Sequence, residues 1–203
     1  TARPVAHDDQ LGFALEEDIL TRSLKTDALS LEETISKNSL ECFNQAAQAV
    51  AEARSVLAVG LHEAAVVATY GAYMLELLGI SCMSATAGSE AEVARLTRLG
   101  EGDVLLAIGF RRAHSVTLSF VREAKARGAT IVILTDNSLS ELAGMSDLTL
   151  YADIDSTFFA HSLAGPVSVI TALAAAVYSR DRETHDTGVK ALRESALESG
   201  WLR

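Results

Sequence analysis

Apolar and polar positions follow two different patterns along the chain. From Leu29 to Ala53 the apolar residues Leu31, Ile35, Leu40, Phe43, Ala47 and Val50 recur at helical steps and predict one amphipathic helix. The stretch "SLEET" reads as its capping box, with Ser30 as N-cap and Glu33 at the third helical position. Residues 1–28, before it, are mixed and polar and are expected to be an arm or linker. After Ala53 short apolar runs without alternation appear: "SVLAVG", "ISCMSA", "DVLLAIG", "TIVILTD" and "DLTLYA". Helical segments separate them. "EAAVVATYGAYMLELLG" is apolar almost all round and reads as buried. "SEAEVARLTRLG" and "HSVTLSFVREAKARG" are each predicted to stop at their glycine. "SLSELAGM" predicts a short helix. "SLAGPVSVITALAAAVYSR" predicts a long one, with Pro166 confined to its first turn. "TGVKALRESALESGWLR" predicts a terminal helix.

Five short, unalternating strands, each leading into a helix, imply a parallel sheet covered on both faces. The expected fold class is α/β: a three-layer α/β/α sandwich around a five-stranded parallel sheet, preceded by a helical linker. The 203 residues suffice for one domain with a full core. Of these, 49% are hydrophobic and only 5% aromatic, so that core is built mainly from Ala, Leu and Val.

Charge narrows the partners. The formal net charge is −10, which argues against direct binding to nucleic acid or an anionic membrane. Cys42 and Cys82 form no metal-type spacing, and one lone pair fits a reducing compartment. No signal-peptide pattern opens the sequence and no apolar run reaches membrane-spanning length, so a cytoplasmic location is expected.

In open parallel sheets ligands bind beyond the carboxyl ends of the strands. Four loops qualify here: "GLHEA" from Gly60, "ATAGSE" ending Ser89–Glu90, "GFRRAHS" from Gly109, and "TDNSLS" from Thr135. The third is conspicuous. Between Asp103 and Gly128 the chain carries five positive residues (Arg111, Arg112, Arg122, Lys125, Arg127) against two negative ones, within an acidic protein. Arg111 and Arg112 stand where guanidinium forks and helix N–H groups converge on an anion. The alternative is pairing of both arginines with surface carboxylates.

No nucleotide or cofactor fingerprint is present: Gly60 has no G-x-G-x-x-G register, and no G-x-x-x-x-G-K-[ST] or G-x-S-x-G occurs. His62, His114 and His161 each follow a predicted strand end. Their spacing does not specify a metal site, and a histidine bonded to a ligand is the better expectation. Glu63 beside His62 offers an acid/base pair, although neighbours at a helix start rarely face one point.

The segments "ARSVLAVG", "LGEGDVLLAIGF" and "SVTLSFVREAKARGATIVILTDNSLSELAGMSDLTLY" resemble the sugar isomerase (SIS) domain. The preceding "SLEETISKNSLECFNQAAQAVAEARSVLAVG" is similar to the helical link into the effector domain of RpiR-type transcriptional regulators. The resemblance runs over about residues 15–182. It implies a flavodoxin-like strand order, with 1–28 as arm, 29–182 as effector domain and 183–203 as a C-terminal helix or tail. It also implies a DNA-binding helix-turn-helix domain outside this chain, a phosphosugar-type effector, and a homodimer or tetramer. In that family a Ser-x-Ser-Gly-x-Thr loop holds phosphate. Here its positions become Gly109, Arg111, Arg112 and His114, and only Thr117, one turn into the helix, keeps a hydroxyl. An anion would then be held by Arg111, Arg112 and His114, with a carboxylate or sugar acid as plausible as a phosphate. Gly60, Ser89, Ser115 and Ser162 complete the expected binding set.

The leading expectation is a non-catalytic, ligand-sensing regulator domain that binds a small anionic sugar derivative. It contacts DNA only through the missing domain, and needs no cofactor, metal or membrane. The rival expectation is a stand-alone aldose/ketose isomerase acting on sugar phosphates, with Glu63, His62 or His161 moving the proton.

Overall fold

The computed structural model describes residues 18–200. The expected arm over residues 1–17 and the end of the predicted terminal helix, residues 201–203, lie outside them. The element order is α1 (Ile19–Lys37), α2 (Leu40–Glu52), β1 (Val56–Val59), α3 (Glu63–Leu77), β2 (Cys82–Ala85) and α4 (Glu90–Leu96). Then follow β3 (Val104–Ile108), α5 (Ser115–Ala126), β4 (Thr130–Thr135), β5 (Leu148–Tyr151), α6 (Ala164–Arg180) and α7 (Arg182–Glu198). All strand pairs are parallel, in the order β2-β1-β3-β4-β5.

Each central strand serves two cores. Val56 and Ala58 of β1, with Val104, Leu106 and Ile108 of β3, pack under α2, α3 and α6. Leu57 and Val59, with Leu105, Ala107, Ile131 and Ile133, pack under α5 on the other face. Period-two alternation therefore puts an apolar side chain on both faces, which is why these runs are unbroken in the sequence.

Several local expectations are corrected. The single helix from Leu29 to Ala53 is two helices. Helix α1 starts at Ile19, inside the expected arm, and is capped by Asp18, whose carboxylate accepts the Leu20 N–H. The chain breaks at Asn38, whose amide bonds the Thr34 carbonyl and both backbone groups of Tyr151. Ser39 then caps α2.

Ser30 is not a cap. It is buried in mid-helix and donates to Asp153 Oδ2 at 2.9 Å, while Thr34 accepts the Asp153 N–H at 2.9 Å and Lys37 pairs with Asp153 Oδ1 at 2.7 Å. The face of α1 turned to the protein is therefore polar. Of the apolar residues read as its core face, Ile35 points outward, 77% exposed, and Leu31 is half-buried; Leu24, earlier on the same helix, is exposed as well.

Helix α3 buries Ala64, Val67, Ala68, Gly71, Ala72 and Leu75 but leaves Val66 and Tyr73 exposed, so it is not covered all round. Helix α4 ends at Leu96, short of its expected glycine cap at Gly100. Helix α5 does stop before Gly128, which takes a positive φ. "SLSELAGM" holds only a single 3-10 turn, Ala143–Met145. Pro166 lies in the first turn of α6.

Candidate functional site: a cavity between the β1 and β3 loops

Strands β1 and β3 are neighbours, yet their following helices leave to opposite faces of the sheet, α3 to one and α5 to the other. The loops therefore part at the carboxyl edge, the switch point where such sheets bind ligands. A cavity of about 340 Å³ opens there, within the range of about 300–1,000 Å³ usual for small-molecule sites. Its walls are Leu61 to Ala64 from the first loop. Ile108, Gly109, Phe110, Arg112, Ala113, His114, Ser115 and Thr117 form the other side.

The glycines at both strand exits serve packing first. A Cβ on Gly60 would stand 2.5 Å from the Ala64 carbonyl oxygen, and one on Gly109 would stand 2.7 Å from Leu142 Cδ1. Strain concentrates beside them. His62 (φ 57°) and Arg111 (φ 51°) are the non-glycine residues in the left-handed region among the described residues, and they belong to the two loops that frame the cavity. Non-glycine residues held there cost on the order of 1–3 kcal/mol each and gather at functional sites.

The arginine pair divides. Arg112 is part of the cavity wall. Arg111 is not; its N–H donates to Asp136 Oδ1 at 2.7 Å, which pins the loop to the end of β4. The rest of the cationic island is neutralised: Arg122 pairs with Glu141, Lys125 with Asp147, and Arg127 with Glu123. Among the described residues, the Arg111 and Arg112 guanidinium groups have no carboxylate partner.

His114 caps α5, its Nδ1 accepting the Val116 N–H at 3.2 Å. The neutral ring therefore carries its proton on Nε2. The His62 ring lies 5.2 Å from it, centroid to centroid, tilted by 53°. Thr117, on the first turn of α5, is only 1% exposed and forms part of the wall. Its hydroxyl has no hydrogen-bond partner among the described residues.

Glu63 does not pair with its neighbour His62. It meets His161, from the loop before α6, Oε1 to Nδ1 at 3.0 Å. Partial burial pushes the Glu63 carboxyl up, but its own backbone N–H and the His161 ring outweigh that and hold it below the usual carboxylate range.

Two expected residues are bonded within the fold. Ser89 forms a capping box with Glu92 at the start of α4. The buried Glu92 carboxylate also takes the Thr86 N–H at 2.6 Å and closes that loop on itself. Ser162 donates to Asp27 Oδ1 at 2.6 Å and accepts the Ala164 N–H, which ties α1 to the start of α6. Gly60, Ser89, Arg111, His161 and Ser162 thus stand outside the cavity wall. His62, Glu63, Gly109, Arg112, His114, Ser115 and Thr117 share it. Sequence reading passed over the apolar wall residues Phe110 and Ala113 and the pin Asp136. All three lie in the loops after β3 and β4, and their signal is packing and backbone bonding rather than charge. Among the described residues no cluster of His, Cys, Asp and Glu can hold a metal, and no helix is long and apolar enough to cross a membrane.

A family model, the SIS domain, matches residues 49–179. The chain belongs to the SIS domain family. An uncharacterized HTH-type transcriptional regulator of Caldanaerobacter subterraneus subsp. tengcongensis is 25% identical over 166 residues, 80% of this SIS chain. The chain spans only 58% of the length of that relative. The sugar isomerase domain of an RpiR transcription factor from Sphaerobacter thermophilus superposes with a TM-score of 0.84 at 24% identity, over 88% of this chain and 99% of that one. The NanR protein of Vibrio vulnificus, complexed with ManNAc-6P, does so with a TM-score of 0.79 at 18% identity, over 93% and 72%. Structures described as sugar-phosphate and phosphosugar isomerases share the fold as well. At these identities the structural likenesses bear on the fold alone. The parallel order β2-β1-β3-β4-β5 of this SIS domain is the expected one.

Proposed function

We propose that this chain is the effector domain of an RpiR-type transcriptional regulator. It binds a phosphosugar or related anionic sugar derivative without turning it over. DNA contact belongs to a helix-turn-helix domain outside these 203 residues. The observation that carries the proposal is the cavity at the β1–β3 switch point. One of its walls combines Arg112, whose guanidinium has no carboxylate partner among the described residues, with the hydroxyl of Thr117, which has no hydrogen-bond partner among them and lines the cavity. Both groups await an acceptor, and an acidic protein that leaves a cation unpaired inside a cleft has prepared it for an anion. The HTH-type relative and the RpiR structure support the regulator half of the reading. The NanR complex with ManNAc-6P supports the sugar half. Binding alters transcription by favouring one arrangement of protomers over another, which requires unequal affinity for the two.

The same reading makes the chain a cytoplasmic homodimer or tetramer. Its interface draws on the outward apolar face of α1, with Leu24 and Ile35, or on Val66 and Tyr73 of α3. Light scattering at micromolar concentration is expected to give a multiple of the chain mass, and a monomer mass refutes this part.

A second reading, an aldose/ketose isomerase, is favoured by one observation: the Glu63–His161 pair at 3.0 Å, with Glu63 in the cavity wall. A carboxylate oriented by an imidazole is suited to carry a proton between adjacent carbons. A panel of sugar phosphates and sugar acids decides between the two. Saturable binding without turnover is expected. Turnover above background that Glu63→Gln abolishes establishes the enzyme instead.

A further inference from the structure

We infer that the anion end of this cavity is built for a planar carboxylate, and that His114 is the residue that selects it over a phosphate monoester. The inference rests on the proposed sensing of an anionic sugar derivative and names which anion is sensed.

A helix N-terminus holds phosphate by presenting free N–H groups to several oxygens at once. On α5 the Val116 N–H is already bonded to His114 Nδ1 at 3.2 Å. An imidazole therefore stands where a phosphate oxygen would accept. The ring's remaining donor is Nε2–H.

Charge points the same way. The cavity wall holds one arginine, Arg112, and one carboxylate, Glu63. A phosphate monoester carries about −1.5 to −2 at pH 7. It would leave this wall with excess negative charge inside a protein of net charge −10. With Arg112 and Glu63 offsetting one another, a carboxylate adds only about −1 to this wall, roughly half the charge of the monoester, and its two coplanar oxygens fit the planar guanidinium fork.

The donor count agrees with the charge. A carboxylate offers about four lone-pair positions. The Arg112 fork can supply two donors, and the Thr117 hydroxyl and His114 Nε2–H the others, with the Ser115 hydroxyl also in the wall. A phosphate has three terminal oxygens and needs a larger cradle than the two wall hydroxyls, Ser115 and Thr117, provide. The opposite wall, with Glu63 and His62, suits hydroxyl groups. The ligand class is thus a polyhydroxy acid, an aldonate or a uronate.

Calorimetry on the full 203-residue chain tests this with D-gluconate and D-glucuronate against D-glucose 6-phosphate and inorganic phosphate. At least one carboxylate is expected to bind about tenfold or more tightly than glucose 6-phosphate, the size of one charge-assisted hydrogen bond. His114→Ala frees the Val116 N–H and is expected to narrow or invert that ratio by about tenfold. His114→Asn, a competent cap that keeps the N–H occupied, is expected to preserve the preference and guards against mere loss of the helix start. Circular dichroism verifies that both variants fold. Tighter binding of glucose 6-phosphate to the parent overturns the selection while leaving an anionic-sugar sensor in place. An unchanged ratio in His114→Ala overturns the role of His114. If no probe of either class binds, the sensing function falls together with its specificity.

Discussion

Asp103→Ala is expected to lower the unfolding free energy by about 2–4 kcal/mol, which for a chain of this size lowers Tm by roughly 5–15 °C. Asp103 lies just before β3 and is 1% exposed. Its carboxylate accepts the Gly100 N–H at 2.9 Å, the Ser55 hydroxyl at 2.9 Å and Arg54 Nε at 3.0 Å. It thereby joins the entrances of β1 and β3 at the edge opposite the cavity. Alanine strands these donors, whereas the Arg54 side chain returns to water, so no buried charge is left behind. Burial raises the Asp103 carboxyl, but Arg54, Ser55 and the Gly100 N–H together bring it below its ordinary value of 3.8. A depressed folded-state value means the contribution is complete above the unfolded-state value and disappears as pH falls through the folded one. The gap between the parent and Asp103→Asn should therefore be full at pH 6 and close under acid, below about pH 4. Urea unfolding at several pH values measures it. A gap that is constant down to pH 2 contradicts the assignment.

Arg112→Ala should weaken binding of the tightest anion found by roughly ten- to a hundredfold, the loss of one charge-assisted contact. Arg111→Ala should change it by less than about threefold. The sequence makes the two arginines equivalent, adjacent in "GFRRAHS". The fold separates them, because Arg111 takes a positive φ and gives its N–H to Asp136, while Arg112 enters the cavity wall. Binding isotherms of both variants at two salt concentrations check this. The Arg112 effect should persist at high salt, as expected for direct contact in a cleft rather than long-range attraction. Equal losses in the two variants mean that Arg111 swings in, and no loss in either means that both are surface charges.

Much of the architecture was legible in the chain. Unbroken apolar strands such as "DVLLAIG" and "TIVILTD" signalled a sheet buried on both faces, because only a two-sided core makes every position apolar. The parallel arrangement then restricted the chemistry to the carboxyl-edge loops. The cavity does lie there, with His62, Glu63, Arg112, His114 and Thr117 in its walls. A −10 chain with a local cluster of arginines marked the loop on which, among the described residues, the Arg111 and Arg112 guanidinium groups have no carboxylate partner.

What the sequence could not decide depended on partners far away along the chain. Helix α1 reads as amphipathic with a Leu/Ile core face, yet the face it buries carries Ser30 and Thr34. Their hydrogen bonds reach Asp153, more than a hundred residues on, and helical periodicity contains no information about that partner. Ser89 and Ser162 looked like ligand hydroxyls because serine at a helix start fits both roles. The fold bonds them to Glu92 and Asp27, partners that the local pattern does not announce. Glu63 acquired His161 rather than its neighbour His62 as partner, since the turn into α3 holds His62 at φ 57° and the loop before α6 arrives from the far end of the sheet. Local pattern determined which residues are helix, strand or loop, because those preferences act over a few positions. Which of two equivalent side chains faces the cavity was decided by tertiary structure, since that choice is made by contacts closed across the whole sheet.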